Sequence, residues 1–282
     1  MPRLFYALWP DPVTRAALAE RIPEDGGGHA VPPENLHLTL AFLGVCEAGQ
    51  VEALRALGEG IVSPSFDLPL GEYGWFERAG ALWLGADPLP APLTVLQARL
   101  ARGLASLGWT IPEPFVPHVT LRRGVRKGCG VLPPRPLCWP VRQWGLFESV
   151  GSAQGVRYRP LALWALPPAG PHGLPRLDEF TLWESLAPLP VALVMVGGVH
   201  CGACAVLARV LEALSSHKGW PVFEVDANEA GALVREWGVF HLPALYLFVN
   251  GVHQAVLDCE AREPSIIAAV EAALLHPAEE AP

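Results

Sequence analysis

The chain has 282 residues, 51% of them hydrophobic and 17% charged, with a formal net charge of −8. That composition supports two domains with real cores and excludes the low-hydrophobicity signature of disorder, and no apolar run approaches the ~18 residues of a membrane-spanning helix. Charge is uneven: 15 Lys+Arg face 14 Asp+Glu up to residue 170, and 5 face 14 beyond it. The acidic second part is a poor match for nucleic acid, while the first carries a small basic cluster (Arg122, Arg123, Arg126, Lys127) suited to a few phosphates.

In chain order, RLFYAL (Arg3–Leu8) reads as a first strand rather than an export signal, because Pro10 and Asp11 break the apolar run. The expectation is therefore a cytoplasmic protein whose six cysteines are thiols or redox centres rather than a disulfide framework. Asp11–Ile22 predicts a helix with an Asp/Pro start, and Leu36–Leu43 a strand. Glu47–Val62 carries Val51, Leu54, Leu57 and Ile61 at helical spacing. Phe66–Leu70 and Ala81–Leu84 read as strands and Pro92–Leu107 as a leucine-striped helix. Strands at Val116–Leu121, Val141–Glu148 and Tyr158–Ala165 complete a first domain that reads as two similar halves.

The stretch LPPAGPHGLPRL (166–177) is too rich in Pro and Gly for a helix or central strand, and a linker is expected at 168–177. It separates a first domain, 1–167, from a second, 178–282. In the second, a helix is expected at Asp178–Leu186, a buried strand at 191–196, a helix at Cys204–Leu214, a strand at Val222–Val225 and a helix at Asn228–Trp237. A hairpin follows, Ala244–Val249 and Val252–Leu257 about Asn250-Gly251, then a helix at Glu263–Leu275.

The motif His-x-Thr-x occurs twice, in LHLTL and HVTL. Side chains alternate along a strand, so His37 and Thr39 share one face while Leu36, Leu38 and Leu40 take the other. His118 and Thr120 oppose Val119 and Leu121 in the same way. A lone strand histidine is more often structural than catalytic, but two identical pairs change the weighing. Two imidazoles can divide general acid and general base work, and two hydroxyls can donate to a shared anion. That set suits in-line attack on a phosphodiester without a metal. Trp75 and Phe76 are candidates for a base-stacking platform, with core packing as the plainer role. Cys46 reads as packing; Cys129 and Cys138 belong to no pattern.

The segments RLFYAL (3–8), PPENLHLTLAFLG (32–44), LWLG (82–85), PFVPHVTLRR (114–123) and RYRPLALWAL (157–166) resemble the RNA 2′,3′-cyclic phosphodiesterases, also called 2′-5′ RNA ligases, of the 2H phosphoesterase superfamily. The resemblance spans the whole first domain. It implies a bilobal α+β fold with both histidine strands lining one cleft. It further implies hydrolysis of RNA or nucleotide 2′,3′-cyclic phosphate ends to 2′-phosphates, reversible 2′-5′ joining, and no cofactor or metal. His37 and His118 carry over as catalytic, with His118 taken as base and His37 as acid, and Thr39 and Thr120 as phosphate-binding. The family's arginine lands on Arg123. Simple alternation instead puts Arg122 on the face of His118 and Thr120, so either the strand bulges or ends after Leu121 or Arg122 takes the role.

In VHCGACAVLARVLEAL, Cys201 and Cys204 sit at a strand end and a helix start, where the first thiol is acidified and nucleophilic. Buried thiols or half a zinc site, with Cys259 and His241 or His253, are the alternatives. Residues 185–276 resemble thioredoxin, an α/β fold, with Pro243 at its cis-proline position. This implies dithiol–disulfide chemistry on a disulfide-bearing protein partner, Cys201 attacking and Cys204 resolving. His200, Ala203 and Met195 depart from the pattern, Met195 falling where a buried aspartate normally assists proton transfer. The opposing reading of the whole chain is a redox protein with a non-catalytic nucleotide- or RNA-binding first domain. Redox control of the esterase by the CGAC pair is a third.

Overall fold

The computed structural model describes residues 2–24, 27–47, 49–86, 88–111, 114–126, 135–152 and 155–280. They form two compact units, Met1–Gly58 with Ser65–Leu166, and Glu59–Pro64 with Pro167–Pro282. Lys127 and Cys129 lie outside the described residues.

The first unit opens with β1 (Arg3–Leu8) and α1 (Pro12–Ala19). Asp11 caps α1, its Oδ1 accepting from the Thr14 amide at 2.7 Å, with Pro12 supplying the preset first turn. There follow β2 (His29–Ala30), a 3₁₀ turn at Pro33–Asn35, β3 (Leu38–Val45), α2 (Gln50–Glu59), β4 (Phe66–Phe76), β5 (Ala81–Ala86), α3 (Ala91–Ser106), β6 (His118–Arg123), β7 (Leu137–Val141), β8 (Gln143–Ser152) and β9 (Gly155–Ala165). The leucine stripe of α3, Leu93, Leu96, Leu100 and Leu104, is fully buried, each side chain contributing about 2 kcal/mol of transfer free energy.

The main strand order is β7-β4-β5-β6-β3-β1-β8-β9, with β2 added against β6. The two histidine strands meet at its centre, antiparallel, through the single pair Leu38 and Val119. Outward from that junction each side has three further strands. The two halves expected from sequence exist in space but not as halves of the chain. The closing strands β8 and β9 follow β1 in order on the β3 side, while β4, β5 and β7 complete the β6 side. Strand β7 escaped the sequence reading because Pro140 interrupts it; as the edge strand it tolerates a residue with no N–H.

In the second unit, β10 (Arg176–Leu177), α4 (Leu182–Leu186), β11 (Val191–Gly197), α5 (Gly202–Lys218), β12 (Val222–Asp226), α6 (Gly231–Glu236), β13 (Ala244–Val249), β14 (Val252–Val256) and α7 (Glu263–Leu274) follow in turn. The sheet order is β10-β12-β11-β13-β14. Side chains of α5 and α7 cover one face of it, and those of α4 and α6 the other. The hairpin turns at Asn250 and Gly251, both with positive φ, as an Asn-Gly turn requires.

The stretch 168–177 is not a free linker. Ala169 bridges Pro175, β10 pairs with β12, and Leu174 and Leu177 are buried, so its apolar residues dock on the second unit and outweigh its Pro/Gly content. The helix expected from Asn228 starts later, because the Asp226 carboxylate accepts from the Asn228 amide at 2.9 Å and holds a turn there. Asp178 likewise binds the amides of Phe180 and Thr181, delaying α4. Among the described residues no helix is long and apolar enough to cross a membrane.

Candidate active site

Both histidine strands begin two residues later than the alternation of the sequence suggests, at Leu38 and His118. His37 Nδ1 donates to the Asn35 carbonyl and His118 Nδ1 to the Val116 carbonyl, each at 2.7 Å. Since a carbonyl only accepts, the neutral ring carries its proton on Nδ1 and leaves Nε2 with a lone pair.

Extending the Leu38–Val119 register one residue either way sets His37 across from Thr120 and Thr39 across from His118. The burial pattern agrees: Leu36, Leu38, Leu40, Val119 and Leu121 are buried, and the histidines and threonines are half-buried. The Thr39 hydroxyl lies 3.1 Å from His37 Nε2.

The question between Arg122 and Arg123 turns on a bulge. Trp83 pairs with Thr120, Leu82 with Arg122 and Ala81 with Arg123, so β6 carries one extra residue, Leu121, opposite a single step of β5. Beyond a bulge the face alternation resets. Trp83 and Ala81 share a face of β5, and their partners Thr120 and Arg123 therefore share one too. Arg122 turns away, donating to the carbonyls of Gly27 at 2.7 Å and Pro23 at 2.8 Å. Gly28 has φ +58° and packs so closely on the Arg123 carbonyl that a β-carbon there would overlap it, so this loop needs glycine.

A cleft of about 630 Å³ opens on this face. His37, Thr120 and Arg123 line it, with Arg3, His29, Asn35, Phe42, Ser149, Val156 and Tyr158. His118 and Thr39 stand at the same junction without being among its lining residues. Trp75 is not among them either. Phe76 meets the His118 ring edge-on at 4.9 Å, and so buttresses an imidazole rather than presenting a platform.

Burial pushes the His37 imidazole down to about 4, with the Arg123 guanidinium and then His118 adding to the depression and the Asn35 carbonyl opposing it. Burial, then Arg123, also lowers His118, against the pull of the Val116 carbonyl. The enclosure is aromatic. Phe5, Trp9 and Tyr158 stand 5.0, 5.6 and 4.9 Å from the His37 ring centroid. Phe76 and Trp83 stand 4.9 and 5.8 Å from that of His118. Sequence reasoning missed Phe5, Trp9, Trp83 and Tyr158. The first two lie on or just after an apolar strand and read as core; the last two lie on strands that come to the site only by pairing. The signal within reach was the parity of Phe5, which shares a face with Ala7.

In the second unit Cys201 caps α5 and is joined to the buried Cys204 by a disulfide. Pro243 follows a cis peptide bond just before β13. Cys46 is buried, its thiol pushed up by burial; Cys138 is exposed and Cys259 half-buried. Among the described residues no three His, Cys, Asp or Glu side chains gather as a metal site.

Comparison with known proteins bears on the first unit. A model of the 2′-5′ RNA ligase superfamily matches residues 8–148. The chain is 37% identical over 142 residues to the RNA 2′,3′-cyclic phosphodiesterase of Escherichia coli, covering 49% of this chain and 80% of that one. It is 32% identical over 190 residues to the Thermus thermophilus enzyme of the same name, covering 61% and 92%. Among solved structures, E. coli LigT complexed with 3′-AMP superposes with a TM-score of 0.53 at 34% identity, over 59% of this chain and 99% of the other. A phosphoesterase-like fold thus accounts for somewhat under three fifths of the chain.

Proposed function

The chain belongs to the 2′-5′ RNA ligase superfamily, and from that membership we propose that its first unit hydrolyses the 2′,3′-cyclic phosphate ends of RNA or nucleotides to 2′-phosphates. The observation that carries the reading is the junction of β3 and β6, where two imidazoles of one tautomer, two threonine hydroxyls and Arg123 converge.

Each imidazole keeps Nδ1–H on a backbone carbonyl and presents Nε2 to the chemistry. With the site empty both are neutral near pH 7, because their proton affinities are depressed. A bound phosphodiester brings the negative charge that raises them. One ring, which we assign as His118, takes a proton from water as the water attacks phosphorus. The other, His37, protonates the departing 3′ oxygen. Arg123 and the Thr39 and Thr120 hydroxyls hold the non-bridging oxygens as charge builds on them. With a 5′ hydroxyl in place of water the same two rings support 2′-5′ joining: His118 takes the hydroxyl proton as its oxygen attacks phosphorus, the bond to the 3′ oxygen breaks and His37 protonates it, and the reverse reaction cleaves the 2′-5′ linkage.

The basic side chains lining the cleft are Arg3, His29, His37 and Arg123, with no carboxylate among the described ones. This donor set suits an anion rather than a divalent cation. The test is hydrolysis of a nucleoside 2′,3′-cyclic phosphate in EDTA. A 2′-phosphate product, lost in His118→Ala, supports the proposal. A 3′-phosphate, strong inhibition by EDTA, or no turnover would sink it, the last leaving a nucleotide-binding module.

For the second unit we propose a thioredoxin-like disulfide exchanger acting on a disulfide-bearing protein. Its support is the buried strand β11 leading to the Cys201–Cys204 pair at a helix start, with the cis-Pro243 and hairpin behind it. Reduction of insulin disulfides by the reduced full chain, absent in Cys201→Ser, tests it.

A further inference from the structure

Neither proposed chemistry uses the second unit's buried Glu224–His172 pair. Glu224, in β12, is fully buried, and its partner His172 has a side chain only 7% exposed. His172 bonds Glu224 Oε1 through Nδ1, and its own amide donates to Oε2 at 3.1 Å. Burying a carboxylate costs several kcal/mol even when it is paired, so its position is informative. Along β12, Val222 belongs to the cluster of Leu207, Leu211 and Cys204, while Phe223 and Val225 belong to the cluster across the sheet. Strand alternation puts Glu224 with Val222, on the Cys204 side.

Two glycines define the seat. A β-carbon at Gly170 would overlap Glu224 Oε2, so the 167–175 segment can lie against the carboxylate only with glycine there. A β-carbon at Gly197 would lie 3.4 Å from Glu224 Oε1 and 3.5 Å from the Cys204 β-carbon. The carboxylate and the buried cysteine thus border one small space. Met195, which occupies the place of the expected buried acid, is the in-register neighbour of Glu224 on the adjacent strand. The acid is not missing from this side of the sheet; it enters from one strand over. The other titratable groups nearby are engaged elsewhere, Arg176 with Glu229 at 2.6 Å and Asp226 with Asn228.

We propose that the Glu224–His172 pair accepts and returns the proton of Cys204 during disulfide exchange; this rests on the reading of the second unit as a disulfide exchanger. In the forward direction the Cys201 thiolate attacks one sulfur of the partner's disulfide. That S–S bond breaks, one partner thiolate leaves and takes a proton from solvent, and a mixed disulfide to Cys201 remains. Cys204 gives its proton to the pair, and its thiolate attacks Cys201 Sγ. The mixed disulfide breaks, and the second partner thiolate leaves with a proton. Two electrons pass from the dithiol to the partner, and the Cys201–Cys204 disulfide results. In reduction of that disulfide the pair returns the proton to Cys204.

The experiment mixes the reduced full chain with oxidised glutathione, quenches with acid, and follows the glutathionylated species by mass spectrometry from about pH 6 to pH 9. The wild type is expected to resolve its mixed disulfide at a nearly constant rate between about pH 6 and 8. Glu224→Gln and His172→Asn are expected to accumulate the mixed disulfide at about pH 6, with resolution slowed at least about tenfold. Near pH 9, where hydroxide ionises Cys204 directly, the deficit should close, while the rate of the first attack is unchanged throughout. Resolution by Glu224→Gln at the wild-type rate across the range overturns the proposal and leaves the pair as a structural staple. A wild-type rate that climbs about tenfold per pH unit overturns it without any variant, should Glu224→Gln fail to fold. Absence of any exchange by the wild type overturns the disulfide-exchanger reading, and the proposal with it.

Discussion

His37 and His118 are one motif placed in two surroundings. In both, Nδ1 is tied at 2.7 Å to the carbonyl two residues upstream and a threonine follows at the next position on the same face. The local sequence thus sets tautomer and direction identically. What differs comes from remote strands: three aromatic rings around His37, from β1, the turn after it and β9, against two around His118, from β4 and β5. The Thr39 hydroxyl also meets His37 Nε2. A short motif can fix the geometry of a proton-transfer group, while long-range packing fixes its proton affinity.

The most severe way to break the comparison is to remove one ring at a time. His37→Ala and His118→Ala should each lower kcat by about 10³-fold or more, within the range for general acid–base residues. The double variant should lose little beyond either single one, since the two act in one step. Additive losses, measured with a 2′,3′-cyclic nucleotide, would mean that the rings act independently.

The two arginines sharpen it next. Arg123→Ala should reduce kcat/KM by about 10²-fold through loss of an anion-stabilising group. Arg122→Ala should leave kcat/KM within a few-fold. It should instead lower stability by about 1 kcal/mol, because it frees the loop carbonyls of Pro23 and Gly27. An inverted pattern in parallel kinetics and thermal melts would put Arg122 at the phosphate. Thr39→Val and Thr120→Val should cost roughly tenfold or somewhat more each in kcat. Equal losses would support a symmetric phosphate grip, and a silent Thr39 would confine its hydroxyl to His37.

The smallest effect concerns stability. Both folded imidazoles bind protons less readily than in the unfolded chain, where the value is near 6.5. Between that value and about 4 for His37, the unfolded state holds more protons, so stability is intact above about 6.5 and falls as pH drops. His37→Phe should flatten that acid limb in denaturant titrations at several pH values.

Much of this was legible in the sequence, and the exceptions share a cause. The alternation LHLTL and HVTL showed which residues share the half-buried polar face, because a strand's period is local. The bulge at Leu121 was not legible, since it exists only in the pairing of β6 with β5. The sides taken by β8 and β9 are likewise a matter of partner choice. The 168–177 stretch misled because Pro and Gly forbid regular structure but not docking. Glu224 was invisible because a carboxylate in FEVDANE reads as the polar position of an alternating strand, and only the second face of a covered sheet makes it buried.

The most direct measurement is an NMR titration of the His37 ring in the full chain, alone and with saturating inorganic phosphate. The account predicts a neutral ring protonated on Nδ1 near pH 7, titrating at about 4 when the cleft is empty and distinctly higher with the anion bound. A ring that titrates at the ordinary 6.5, or one that ignores phosphate, would contradict it.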